Sequence, residues 1–145
     1  MDITTKYHGV IEIDEKDILQ FQNGIPGFLE EKSFVLLPLD VDSPFWILQS
    51  TATTELGFVV VNPFQYFTTY EFDLSEGDKQ LLNLTSEKDV VVWTILNVKD
   101  PFEDSTANLQ APIVLNAKNN QAKQIILNDS RYKTKQNLFP EKVVK

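Results

Sequence analysis

Few side chains in this 145-residue sequence have the type and spacing that covalent chemistry requires. His8 is the single imidazole, and no serine or cysteine motif accompanies it, so its place beside Tyr7 and Gly9 points to a local role in a turn or strand. Cysteine is absent, which removes disulfides, a thiolate nucleophile and cysteine-ligated zinc or iron–sulfur centres. One histidine also rules out a multi-histidine metal site. Asp100, Glu103 and Asp104 resemble calcium ligands, yet DPFED lacks the central glycine and the terminal glutamate of the usual loop. The GIPG of Gly24 to Gly27 lacks the glycine spacing and lysine of a phosphate-cradling loop and signals only demanding backbone geometry. The 21 acidic side chains make some carboxylate pair inevitable, but number alone creates neither a pocket nor a displaced pKa. The expectation is therefore no catalytic residue, no metal and no cofactor.

Three polar, proline-containing junctions beside apolar runs are more informative. In FQNGIPGF, Asn23 and Gly24 favour a turn that Pro26 stiffens, with Phe21 and Phe28 placed to pin it to a core. In Asn62-Pro63-Phe64, the Asn62 side chain can satisfy nearby backbone groups while Pro63 stops the preceding strand. In TANLQAPIV, Asn108 and Gln110 are candidate backbone clamps ahead of Pro112. Each junction reads either as plain turn structure or as a preorganised loop that loses little entropy when a macromolecule docks.

The chain's net charge of -8 disfavours direct nucleic-acid binding and favours a basic protein partner. It is unevenly spread: residues 1 to 117 carry 19 acidic and 6 basic side chains, residues 118 to 145 carry 2 and 7. The acidic excess is densest from Glu71 to Asp104 and includes Glu76, Asp78 and Glu103 as expected exposed members. These charges are either an ordinary solvated surface or a face that steers a basic partner. No apolar run approaches 18 residues and no basic segment precedes an apolar one at the N-terminus, which predicts a cytoplasmic protein without a membrane span.

The elements that must position these residues are mostly strands. Lys32 to Leu39, Phe45 to Gln49, Leu56 to Val61, Gln65 to Phe72 and Asp89 to Val98 are rich in β-branched and aromatic residues. Ile113 to Asn116 and Gln124 to Leu127 flank AKNNQAK as a hairpin with a longer turn, and the N-terminal stretch supplies a strand or hairpin around Gly9. Helix signal is sparse: Ser75 with Asp78 suggests a cap for a helix of two to three turns anchored by Leu81, Leu82 and Leu84, and Asp14 to Leu19 a single short turn. Without long amphipathic segments after the strands, the sequence predicts an all-β, mainly antiparallel, small β-barrel-like single domain with one or two short helices. Trp46 and Trp93, set within apolar strands, are expected to be mostly buried.

In order along the chain, KYHGVIEI, FQNGIPGF, the LQS of Leu48 to Ser50, GFVVVNPF, TANLQAPIVLN and QIIL with Tyr132 resemble the FliW family of flagellar assembly factors. The resemblance covers residues 1 to 135 as one β domain and leaves 136 to 145 as a partly ordered tail. It implies a non-enzymatic cytoplasmic chaperone, monomeric when unbound, that binds flagellin. When free of flagellin, such a protein binds and antagonises the translational regulator CsrA, relieving repression of flagellin mRNA. Partner contacts would then fall on Asn23, Phe28, Asn62, Phe64, Glu71, Glu76, Asp78, Phe102, Glu103 and Asn108, with the acidic members steering CsrA and Phe28, Phe64 and Phe102 meeting flagellin. For those three phenylalanines, burial in the core is the competing reading. A flagellin chaperone without a regulatory partner and an acidic-residue hydrolase are the alternatives.

Overall fold

The computed structural model describes residues 1–139. Eleven strands and one α-helix account for its regular structure, with four 3-10 turns between them. Strands β1 (Asp2–Thr4) and β2 (Val10–Glu12) form a separate hairpin around Gly9, which adopts the left-handed φ of 67° that glycine accepts at no steric cost. Strands β3 (Leu19–Phe21), β4 (Ser33–Pro38), β5 (Trp46–Ser50), β6 (Gly57–Val61), β7 (Val90–Asn97), β9 (Ile113–Asn116) and β10 (Gln121–Gln124) close into a ring. All its pairs are antiparallel except β3 with β10, and the β7–β9 pairing completes the circle, so every barrel strand has a neighbour on each side, although β3 covers β4 only at Ser33 and Phe34. Strand β8 (Thr106–Ala107) pairs the far end of β7, and β11 (Gln136–Asn137) pairs β8.

The period of two along β7 shows how the sequence divides two cores. Val91, Trp93 and Ile95 face the barrel interior, where Phe21, Phe34, Leu48, Val60 and Ile113 fill the space. Val92 and Leu96 face outward, against a second cluster that includes Tyr70, Leu82, Leu109, Leu127 and Leu138. This outer layer comes from residues 62–84 and 125–139, which wrap the sheet and join its ladders only through β11.

Several sequence expectations give way. Gln65 to Phe72 is not a strand: Asn62 caps a 3-10 turn over Pro63–Gln65, and Phe67 N and Tyr70 N then donate to Pro63 O (2.8 Å) and Phe67 O (3.0 Å). Its aromatic residues serve packing instead of a ladder. The β9–β10 ladder covers Gln121–Gln124, so Gln124 to Leu127 is not a strand beyond its first residue. Ile125 and Leu127 remain buried and Ile126 exposed, because Ile125 N and Leu127 N bond the loop carbonyls of Pro112 and Gln110, both at 2.8 Å. Trp46 and Trp93 are mostly buried, as expected, each packed against the barrel core with a minority of its surface exposed. Trp46 opens β5 opposite the exposed Pro38, at the barrel rim, and Trp93 leans on it with ring centroids 5.7 Å apart. Helix α1 (Glu76–Leu81) is shorter than the expected two to three turns.

Residues 136–138 hold the last ladder and the buried Leu138, while 140–145 of the expected tail lie outside the described residues.

Candidate functional site

Between β6 and β7 the chain builds a groove of 470 Å³. Its entrance is fixed by Asn62, whose Oδ1 accepts from Phe64 N at 2.9 Å and holds Phe64 at the surface, 43% exposed. Phe64 in turn meets the ring of Tyr70 at 5.8 Å. Tyr70 is buried and donates its hydroxyl to Leu109 O at 2.7 Å. Burial, with the neighbouring Tyr132 adding to it, holds that hydroxyl well above the usual tyrosine pKa and so favours its protonated, donating form. Leu109 belongs to the loop that Asn108 clamps by accepting from Ala111 N at 3.1 Å. Two of the three junctions singled out in the sequence thus meet through one tyrosine.

Acidic side chains follow on this rigid base. Tyr132 packs edge-on to Tyr70 at 4.7 Å, and its hydroxyl accepts from Glu71 N at 3.0 Å, which fixes the backbone carrying Glu71. Phe72, Leu74 and Val90 continue the apolar floor, with Glu71, Asp73 and Glu87 along the rim and Lys79 as its one cation among the described residues. Lys79 pairs with Glu76 at 3.3 Å. A second cleft of 440 Å³ adjoins at Glu71 and Asp73 and ends on Asp129 and Arg131. The Arg131 guanidinium lies over the Tyr132 ring at 5.0 Å and bonds Asp129 at 2.7 Å, which holds the Asp129 carboxyl below its ordinary pKa.

Of the residues singled out by sequence, Asn62, Phe64, Glu71, Glu76 and Asn108 therefore belong to or support this groove. Asp78 is adjacent but is not a free surface charge: its carboxylate accepts from Lys123 Nζ at 2.5 Å and is only 15% exposed, so it ties α1 to β10. Phe102 and Glu103 stand elsewhere, on a turn where Phe102 packs against Phe45 (5.3 Å) and Phe139 (5.8 Å). Asn23 and Phe28 lie at the β3–β4 turn, where Phe28 meets Phe58 at 5.7 Å. All three singled-out phenylalanines are exposed, at 42% for Phe28, 43% for Phe64 and 37% for Phe102, so none is a core residue. Sequence reasoning missed Tyr70, Phe72, Asp73, Glu87 and Tyr132 as members of the groove. The run Tyr-Glu-Phe-Asp from Tyr70 to Asp73 carried a signal, an apolar and acidic alternation, that was absorbed into a supposed strand.

An apolar floor with a mostly acidic rim can bury an amphipathic segment and select it by charge. Among the described residues no group of three or more His, Asp or Glu stands close enough to hold a metal ion, and no helix is long and apolar enough to cross a membrane.

The family profile described as FliW protein matches residues 2–138. The chain belongs to the FliW family. It is 61% identical to the flagellar assembly factor FliW of Geobacillus kaustophilus strain HTA426 over the whole of both chains. With the FliW of Bacillus subtilis strain 168 it shares 56% identity over 93% of this chain and 94% of the other. A crystal structure of the flagellar assembly factor FliW superposes with a TM-score of 0.93 at 58% identity, covering 98% of this chain and 99% of that one. Two of the segments that carry the FliW resemblance, at Asn62 and Asn108, are those that brace the groove.

Proposed function

We propose that this chain is a cytoplasmic, non-enzymatic flagellar assembly factor that binds flagellin and, when free of it, binds and antagonises CsrA, relieving repression of flagellin mRNA. The observation that carries this reading is the groove from Phe64 to Val90, apolar at its floor and acidic along its rim, in a member of the FliW family. A CsrA surface that binds RNA must be basic, so an acidic rim both attracts it and repels RNA phosphates from the complex. The aromatic floor suits the amphipathic helices of flagellin. Phe64, with Glu71, Asp73 and Glu87, carries the contact; Asn62 and Asn108 hold it in shape; the unbound chain is monomeric.

Calorimetric titrations of CsrA and of flagellin into the wild-type chain and into Phe64→Ser and Glu71→Gln/Glu87→Gln variants test this. Phe64→Ser is expected to weaken flagellin binding at least tenfold, the loss of about 1.4 kcal/mol. The double amide variant is expected to weaken CsrA binding chiefly at low salt. Flagellin binding with no CsrA binding would reduce the function to that of a dedicated chaperone. Unchanged affinities for both partners would remove the groove from the interface.

A further inference from the structure

On another side of the barrel, strand β4 has a stretch of open edge. Thr51 N donates to Ser33 O and Leu39 N to Phe45 O, both at 3.0 Å, in the register that pairs Val35 with Gln49 and Leu37 with Ile47. Odd-numbered residues of β4 therefore exchange hydrogen bonds with β5, and even-numbered residues direct their N–H and C=O the other way. Phe34 is answered there by Leu19 of β3. The ladder then stops, because the chain before Leu19 turns away into a 3-10 turn over Glu15–Asp17. That turn is built in: Asp14 Oδ1 accepts from Lys16 N at 3.0 Å, Asp17 N donates to Asp14 O at 2.9 Å, and Asn120 Nδ2 holds Lys16 O at 2.6 Å. Leu36 is left with its N–H and C=O directed to a side where, among the described residues, no strand pairs it. One step further the edge is closed, since Pro38 has no N–H and its carbonyl accepts from His8 Nε2 at 2.9 Å.

The space beside Leu36 is a cleft of 960 Å³. Most of its exposed surface is polar, with Ile11 and Ile13 of the N-terminal hairpin and Leu37 of β4 among the accessible apolar side chains of its lining. Its rim carries Glu12, Asp14, Glu15 and Asp17, all exposed. The basic groups at the cleft are Lys16, which pairs Asp14 at 3.8 Å, and the Met1 ammonium, which donates to Ile13 O at 3.3 Å.

We propose that this cleft takes an extended, lysine- or arginine-bearing segment of a protein partner, which adds to β4 as a short strand through the N–H and C=O of Leu36. An open strand edge recognises extended backbone, the few accessible apolar side chains at Ile11, Ile13 and Leu37 receive apolar side chains of the segment, and the four exposed carboxylates of the mostly polar lining select positive charge in the remainder. The cleft shares no lining residue with the Phe64 groove, so the two can be filled together. The inference stands whether or not that groove binds CsrA.

The test uses the full chain, an acetylated and amidated peptide alternating lysine with valine over seven residues, its glutamate counterpart, and a lysine version N-methylated at alternate valines. Amide exchange and chemical shifts are followed by NMR at low salt. Leu36 N–H is expected to exchange freely in the unbound chain and to slow about tenfold when the lysine peptide stands tenfold above its Kd. Shifts should centre on Ile11, Glu12 and Leu36. The glutamate and N-methylated peptides should leave Leu36 unprotected, and Glu12→Gln/Glu15→Gln/Asp17→Asn should weaken the lysine peptide about tenfold. A Leu36 amide already protected in the free chain, equal binding of lysine and glutamate peptides, or shifts confined to Phe64–Glu87 would overturn the proposal.

Discussion

Tyr70 does more for the groove than the acidic residues beside it. It is buried, its hydroxyl closes on Leu109 O, and its ring touches Phe64, Phe72 and Tyr132. Tyr70→Phe keeps the ring but leaves that carbonyl unpaired, and equilibrium denaturation should show a loss of about 1–3 kcal/mol. Gly24 is the other position where one atom decides: its φ is 69°, and a Cβ there would overlap the Leu29 backbone. Gly24→Ala should therefore destabilise by more than the ~1 kcal/mol of an ordinary glycine-to-alanine change, with Gly27→Ala, which meets nothing, as the control for strain alone. Asp129 supplies a pH signature. Its carboxyl is held below the ordinary value by the hydrogen bond from Arg131, so the unfolded chain binds the proton more readily. Its contribution is complete above the ordinary carboxylate pKa of ~4 and is lost as pH falls through the lower folded value. Acid titration of thermal stability should lose that portion of its slope in Asp129→Asn. At this scale the sequence was legible where a side chain acts on its own neighbours. Asn62 and Asn108 clamp backbone two and three residues away, as their placement before Pro63 and Pro112 indicates. The residual exposure of Trp46 comes from its place at the barrel rim opposite Pro38, which no local pattern carries.

Among the elements, strand identity was read well where alternation and β-branching coincide, as in Ser33–Pro38, Gly57–Val61 and Val90–Asn97. It failed at Gln65 to Phe72, where aromatic content mimics a strand but Pro63 starts a turn whose rings plug the outer core. Helix α1 was legible through the Ser75 cap, whose Oγ accepts from Asp78 N at 3.1 Å. What holds so short a helix was not, because its tethers come from distant sequence. Asn116 Nδ2 and Asn119 Nδ2 take the Leu82 carbonyl at 2.8 and 3.1 Å, and Lys123 reaches Asp78. A helix of six residues has little stability of its own, so these contacts decide whether it forms. Lys123→Met should loosen α1, and a double-mutant cycle with Asp78→Asn should return a coupling of about 1 kcal/mol, modest because both side chains keep some solvent. Binding at the groove should weaken with it, since Lys79 and Glu76 ride on the same helix.

For the whole molecule, the sequence foretold an all-β, mainly antiparallel barrel because short strands without long helices leave few other ways to bury two-sided apolar runs. Ring closure through β7 and β9 and the single parallel pair, β3 with β10, were not foretold: the first skips over β8, and the second joins segments far apart in the chain. The same limit explains the site. Phe64 and Glu71 could be singled out one at a time, but the groove exists only because residues 62–74 fold across β7 and are braced by Tyr132. Charge was legible as a total and as an asymmetry along the chain, whereas only the fold sorts Asp78 into a tether and Glu71, Asp73 and Glu87 into a rim.

One titration reads directly the proposed link from free flagellin, through this acidic, aromatic surface, to translation by way of CsrA. Fluorescence anisotropy of a labelled flagellin mRNA leader bound to CsrA is followed as the chain is added, and then as flagellin is added. The chain is expected to release the RNA, flagellin to restore its binding, and the Glu71→Gln/Glu87→Gln variant to need a higher concentration for the same release. Anisotropy that stays at the CsrA-bound value throughout, with the chain folded and in excess, would contradict it.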